Sequence, residues 1–159
     1  MKNRDQDTPE GRLLAMKIVL PKVPAPFGSY IESVQTGNLL FLTGMMPTEN
    51  QKPKYLGVIG ADLSVDDGRD AARIACLNAI AVAKEHLGSL ERVTRVVRIG
   101  AFLVAAKDFK DHPKVADGAS ELLVNVFGKE KMSTRIVLGM ATLPLGVPVE
   151  LELIFEVKD

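Results

Sequence analysis

From Val147 to Lys158 the chain alternates without a break. Val147, Val149, Leu151, Leu153, Phe155 and Val157 hold one parity, and Pro148, Glu150, Glu152, Ile154, Glu156 and Lys158 the other. Successive side chains of a strand point to opposite sides of its sheet, so this period of two requires one covered side and one acidic side. Such a strand needs a second layer over its apolar side, and the rest of the chain must supply it.

Helices supply it. Ser64-Val65-Asp66-Asp67 reads as a capping box, and Ala72, Ala75, Ala79, Ala83 and Leu87 recur at helical spacing until Gly88 ends the run. An alanine stripe lets a helix lie close to a sheet, where leucine would hold it off. Pro113 to Phe127, ended by Gly128, reads as a second helix, and Arg95 to Ala105 between the two reads as a strand. Upstream, Ser29 to Val34 and Asn38 to Thr43 flank Gln35-Thr36-Gly37 as a hairpin, and the apolar NLLFLT predicts a central strand. Residues 47–61, with Pro47, Pro53, Gly57 and Gly60, read as a long loop with a short strand near Tyr55 to Ile59. Thr134 to Thr142 and Val147 to Val157 read as two strands joined by Leu143-Pro144-Leu145-Gly146. The expectation is an α+β fold in ββαβαββ order, two layers deep, with both helices packed on one face of a mixed β-sheet. Residues 1–23 form an N-terminal extension whose short helix, Glu10 to Lys17, is stopped by the prolines from Pro21 to Pro26. Residues 24–159 form a single domain.

Lysine plus arginine and aspartate plus glutamate both number 20, for a formal net charge of zero, so nucleic acid is not an expected partner. The polar start MKNRDQDTPEGR is not a secretory signal, the lone Cys76 allows no internal disulfide, and no apolar run suits a membrane span. The expected location is the cytoplasm. A neutral chain that is 47% hydrophobic points to apolar surface covered by further copies of itself, a homo-oligomer.

CxxC, HExxH, GxSxG, Walker and GxGxxG signatures are all missing, and neither a cofactor nor a metal is expected. His86 and His112 lie far apart and read as capping or surface residues, and Cys76 reads as core. Asp62, Asp66, Asp67 and Asp70 gather where a helix begins, which their interaction with its dipole explains. Arg69 and Arg73 read as one charged helix face. The last two strands offer more. If their loop pairs Thr142 with Val147, Arg135 lies opposite Ile154 and shares a side with Glu150, Glu152 and Glu156. That arrangement suits either ordinary cross-strand ion pairs or a carboxylate-binding arginine fork with a glutamate that activates water. In this register Arg135 and Glu150 stand about 13 Å apart at about 3.3 Å per residue, so they meet only across a substrate, a bulge or a subunit boundary.

The segments PFGSYIESVQTGNLLFLTGMMP and TRIVLGMATLPLGVPVELELIFEV resemble the Rid family, also called YjgF, over roughly Pro24 to Val157. The shared features are a glycine-x-tyrosine before a hydrophobic hairpin ending in (S/T)-G, then an arginine, an A-x-L-P turn and an E-x-E strand. The resemblance implies a chorismate-mutase-like fold, a homotrimer, and hydrolysis of reactive 2-imino or enamine acids in clefts between subunits. It places the arginine that holds the substrate carboxylate on Arg135, the water-activating glutamate on Glu150 and the site tyrosine on Tyr30. The family's asparagine falls at Asp117 or Gly118, its cysteine at Val137 and the glutamine of its (S/T)-G-Q segment at Met45. Asp117 would then repel a substrate carboxylate or bind its amino group. The N-terminal extension and the segment VADGASELLVNVFG resemble a longer branch of the family often labelled endoribonuclease. Catalysis by a deaminase, metabolite binding without catalysis and RNA cleavage are the alternatives in that order.

Overall fold

Reciprocal hydrogen bonds between Ser64 and Asp67 begin the longest helix: the Asp67 amide donates to Ser64 Oγ at 3.0 Å, and the Ser64 amide to the Asp67 carboxylate at 2.8 Å. The Ser64 amide and then the Ser64 hydroxyl, both donating to the Asp67 carboxylate, hold it below its ordinary range, the capping role its position predicts. This helix is one element of a computed structural model that describes residues 7–158. In chain order the elements are α1 (Pro9–Ala15), β1 (Ser33–Thr36), β2 (Leu39–Leu42), β3 (Thr48–Glu49), β4 (Lys52–Pro53), α2 (Val65–Leu87), β5 (Val93–Leu103), α3 (His112–Phe127), β6 (Thr134–Gly139) and β7 (Val149–Val157).

The main sheet runs β1-β2-β7-β5-β6, antiparallel except for the parallel pair β5 and β6. Helices α2 and α3 cover one side of it, so the expected two-layer α+β architecture with a mixed sheet is what forms. Leu40, Ile99, Leu151, Leu153 and Phe155 face the helices and are fully buried against Ala72, Ala75, Ala79 and Ala83 of α2 and Leu123 of α3. Gly118 is where the two helices come closest: a Cβ there would run into the Arg69 carbonyl oxygen. The alanine stripe and this glycine have one effect, which is to let backbones approach. Cys76 is buried within the same layer, and burial pushes its thiol up, as suits a core residue.

Three expectations are corrected. The segment from Thr134 does not form a hairpin with the last strand. Strand β5, α3 and β6 form a strand-helix-strand unit, whose crossover sets β6 parallel against the outer edge of β5. The connection to β7 then crosses the end of β5, with the Met140 amide bonded to the Leu103 carbonyl on one edge and the Val104 amide to the Pro148 carbonyl on the other. Second, β2 is an interior strand between β1 and β7 as expected, but it is not covered on both faces, since Phe41 is 38% exposed. Third, no strand forms at Tyr55 to Ile59. A small ribbon of β3 and β4 precedes it, turning on Asn50 and Gln51 at φ 51° and 65°, and Ile59 makes isolated bridges to Leu63 and Ala105.

The expected N-terminal helix is present, and it is bonded to the main body. Leu13 is buried in the core, Glu10 accepts a bond from the Leu90 amide at 3.2 Å, and Arg12 donates to the Val126 carbonyl at 3.4 Å. The histidines make structural contacts: His86 bonds Ser33 and Gln35 and so ties α2 to β1, and His112 meets Phe109 edge-on. Among the described residues, no helix is long and apolar enough to cross a membrane.

Candidate functional site

With β5 between them, Arg135 and Glu150 lie on opposite sides of the sheet. Arg135 is in register with Ile99 and, through it, with Leu153, both on the helix side. Glu150 is in register with Phe102, on the open side. One chain therefore does not bring the two together, and the common side expected from a hairpin register is wrong. The error lies in the neighbour, since a period of two fixes which side a residue takes relative to its own strand only.

At the sheet edge, Arg135 reaches over to α3. Its Nη1 donates to Asp117 Oδ1 at 2.7 Å and to Ser120 Oγ at 3.0 Å, with the arginine side chain 26% exposed and the aspartate 40%. Asp117 and Ser120 are three apart on a helix, hence on one face, which aims both at the arginine. All of these bonds use one guanidinium nitrogen. Among the described residues, Nε and Nη2 of Arg135 have no acceptor and Oδ2 of Asp117 has no donor. The arginine thus keeps a free edge of the planar fork that suits a carboxylate.

On the open side, the three strand glutamates differ. Glu152 pairs with Arg98 at 3.9 Å, and Glu156 accepts from Thr94 at 2.8 Å and from Asn38 at 3.4 Å. For these two the ordinary reading of cross-strand pairs holds. Glu150 is half-buried and, among the described residues, has neither hydrogen bond nor ion pair. Burial pushes its carboxyl above the usual value near 4.5, which makes it a stronger base once ionised. Gly44 lies directly against it, where any side chain would collide with the carboxylate.

A cavity of about 360 Å³ opens here, lined by Gly44, Phe102, Met140, Leu143, Glu150 and Glu152. Gly44 also borders a small recess lined by Tyr30 and Glu32, so Tyr30 and Glu150 approach the same glycine from two sides. The Tyr30 hydroxyl accepts a bond from the Phe27 amide at 2.9 Å, and burial raises the Glu32 carboxyl as it does Glu150. The structure thus places Tyr30 and Glu150 around Gly44 and bonds Asp117 to Arg135, as two separate groups. Sequence reasoning missed Ser120 and Glu32. The three-residue spacing of Asp117 and Ser120 was available as a signal, whereas nothing near Glu32 marks it.

Two of the three departures from the Rid pattern are matters of packing. Met45 is buried and exchanges backbone bonds with Leu151 at 2.7 and 2.8 Å, and Val137 packs against the core. Asp117 alone changes the charge beside a site residue.

The family described as YjgF/chorismate mutase-like, putative endoribonuclease, matches residues 10–157. Protein TCP17 of Trypanosoma cruzi is 34% identical over 148 residues, 92% of each chain. A 2-iminobutanoate/2-iminopropanoate deaminase of Dermatophagoides farinae is 28% identical over 141 residues, 89% of this chain and 95% of that one. Among solved structures, a protein of Shewanella oneidensis described as a putative endoribonuclease superposes with a TM-score of 0.91 at 36% identity, covering 94% of this chain and 99% of its own. On its fold and on these matches, the chain belongs to the Rid (YjgF) family.

Proposed function

We propose that this protein hydrolyses small 2-imino acids in a cleft completed by two copies of the chain, with Arg135 from one and Glu150 from the other. The observation that carries the reading is Glu150: a half-buried carboxyl with no partner among the described residues, its pKa raised by burial, in the lining of a cavity. A group held that way costs stability, and catalytic bases are where such a cost recurs. Arg135 holds the substrate carboxylate on its free fork and Tyr30 closes the opposite wall. Glu150 takes a proton from water as the oxygen attacks the imine carbon, and returns it to the nitrogen as ammonia leaves, so that a 2-oxo acid remains.

The open side of the sheet supports the assembly. Val34, Phe41, Ile136, Leu138 and Met140 are each between 38% and 49% exposed, and a second copy would cover them. A closed homotrimer in the cytoplasm, as the Rid resemblance implies, is the arrangement proposed, with a small carboxylate-bearing metabolite as its partner. The deaminase relative from Dermatophagoides favours the reaction named over metabolite binding alone or RNA cleavage. The acids on the cleft side, Glu32, Glu150 and Glu152, would also oppose a phosphate backbone.

The test adds purified protein to an amino-acid dehydratase assay and times the loss of the released imine. Wild type should speed that loss and Arg135→Ala should not. Equal rates with the two proteins would refute the deaminase reading.

A further inference from the structure

Asp117 is at odds with simple carboxylate capture, because it already neutralises Arg135 at 2.7 Å. An isolated arginine would attract any small anion, whereas this pair has no net charge. What the pair leaves open is specific. Among the described residues, Nε and Nη2 of Arg135 on the edge strand are free to donate, and Oδ2 of Asp117 on the neighbouring α3 is free to accept. Ser120 Oγ also accepts from Nη1 and fixes the orientation of the guanidinium, so that the free edge does not depend on Asp117 alone.

We infer that Asp117 makes this a site for zwitterions: it takes the substrate's cationic nitrogen while Arg135 takes the carboxylate. The inference rests on the function proposed above and narrows its substrate class to acids whose 2-nitrogen is protonated. A 2-iminium acid is such a molecule, carrying one charge of each sign on adjacent carbons. In its hydrolysis, water adds to C2, the C–N bond breaks, the nitrogen departs as ammonium, and the water oxygen stays as the carbonyl of a 2-oxo acid. That product is an anion with no nitrogen, so Asp117 stops attracting it and begins to repel it. The residue therefore discriminates substrate from product and helps empty the site.

Titrations of the full chain with two stable probes, 2-aminobutanoate and 2-oxobutanoate, separate the possibilities, followed by calorimetry or by chemical shifts of α3. Wild type should bind the amino acid about tenfold more tightly than the oxo acid, the worth of one charge-assisted bond. Asp117→Asn should remove that preference by weakening the amino acid and strengthening the oxo acid, and Arg135→Gln should abolish both. If the wild type takes the oxo acid at least as tightly, and Arg135→Gln loses it, the zwitterion inference fails while the carboxylate site stands. If neither acid binds the wild type, the inference and the underlying reading fail together. The wild-type comparison decides the matter even if Asp117→Asn does not fold.

Discussion

Within one chain Arg135 has side-chain partners, and Glu150, among the described residues, has none. Arg135 has Asp117 and Ser120 as partners, both on a helix that the core holds in place. Glu150 has a cavity, a glycine and burial and, among the described residues, no partner, on the side of the sheet opposite the helices. On the proposed function, the contrast separates chemistry from recognition. A cation oriented through one nitrogen, with the other edge of its fork open, is suited to holding a ligand in a fixed place. An unpartnered, desolvated carboxylate is suited to moving a proton, and its cost in stability argues against a merely structural role.

Four changes would break or sharpen this contrast. The largest effect belongs to Glu150→Gln, which keeps the shape of the side chain and removes the base; imine hydrolysis should fall by about 10²–10⁴-fold in a stopped or continuous assay. Gly118→Ala comes next. It drives a Cβ into the Arg69 carbonyl, parts α3 from α2 and should lower stability by about 1–3 kcal/mol in denaturant melts, and it displaces Asp117 while leaving the Glu150 cavity intact.

A third test uses pH. Burial favours the protonated form of Glu150, so the stability it contributes is present below its ordinary value near 4.5 and is lost as pH rises through the raised one. Thermal melts of wild type should therefore fall behind those of Glu150→Gln as pH rises from 4 toward 7, by roughly a few degrees at most. A wild type that instead gains on the variant over this range would show that Glu150 has an unrecognised partner. Activity should run the opposite way, rising over the same window as the base ionises. The smallest effect is that of Ser120→Ala, which removes one of two bonds from Arg135 Nη1; it should weaken carboxylate binding about two- to fivefold and leave melting within about 0.5 kcal/mol of wild type.

Much of this arrangement could be read from residue order, because it depends on local rules. Ser64 and Asp67 announce their helix and Gly88 ends it, and the parity of Val149 to Val157 separates core from open side as the structure does. What could not be read is adjacency. Nothing in Thr134 to Gly139 says that its neighbour is β5, since that pairing is set by the α3 crossover, and the error moved Arg135 to the wrong side of the sheet. The acidic side also proved less acidic than its alternation suggests, because Phe41, Ile136 and Leu138 arrive there from other strands. The family resemblance named Arg135, Glu150, Tyr30 and Asp117, and the coordinates divide them into two groups, which the proposed function unites through a second copy.

The central claim is that each working site takes Arg135 from one chain and Glu150 from the next, and mixed subunits test it most directly. Arg135→Ala and Glu150→Gln are each inactive alone on this account. Unfolded together in equal amounts and refolded, they should regain about a quarter of wild-type activity, since in a closed ring half the sites draw an intact Arg135 and half of those an intact Glu150. A mixture as inactive as either variant alone, with its subunits shown to have exchanged, would contradict it.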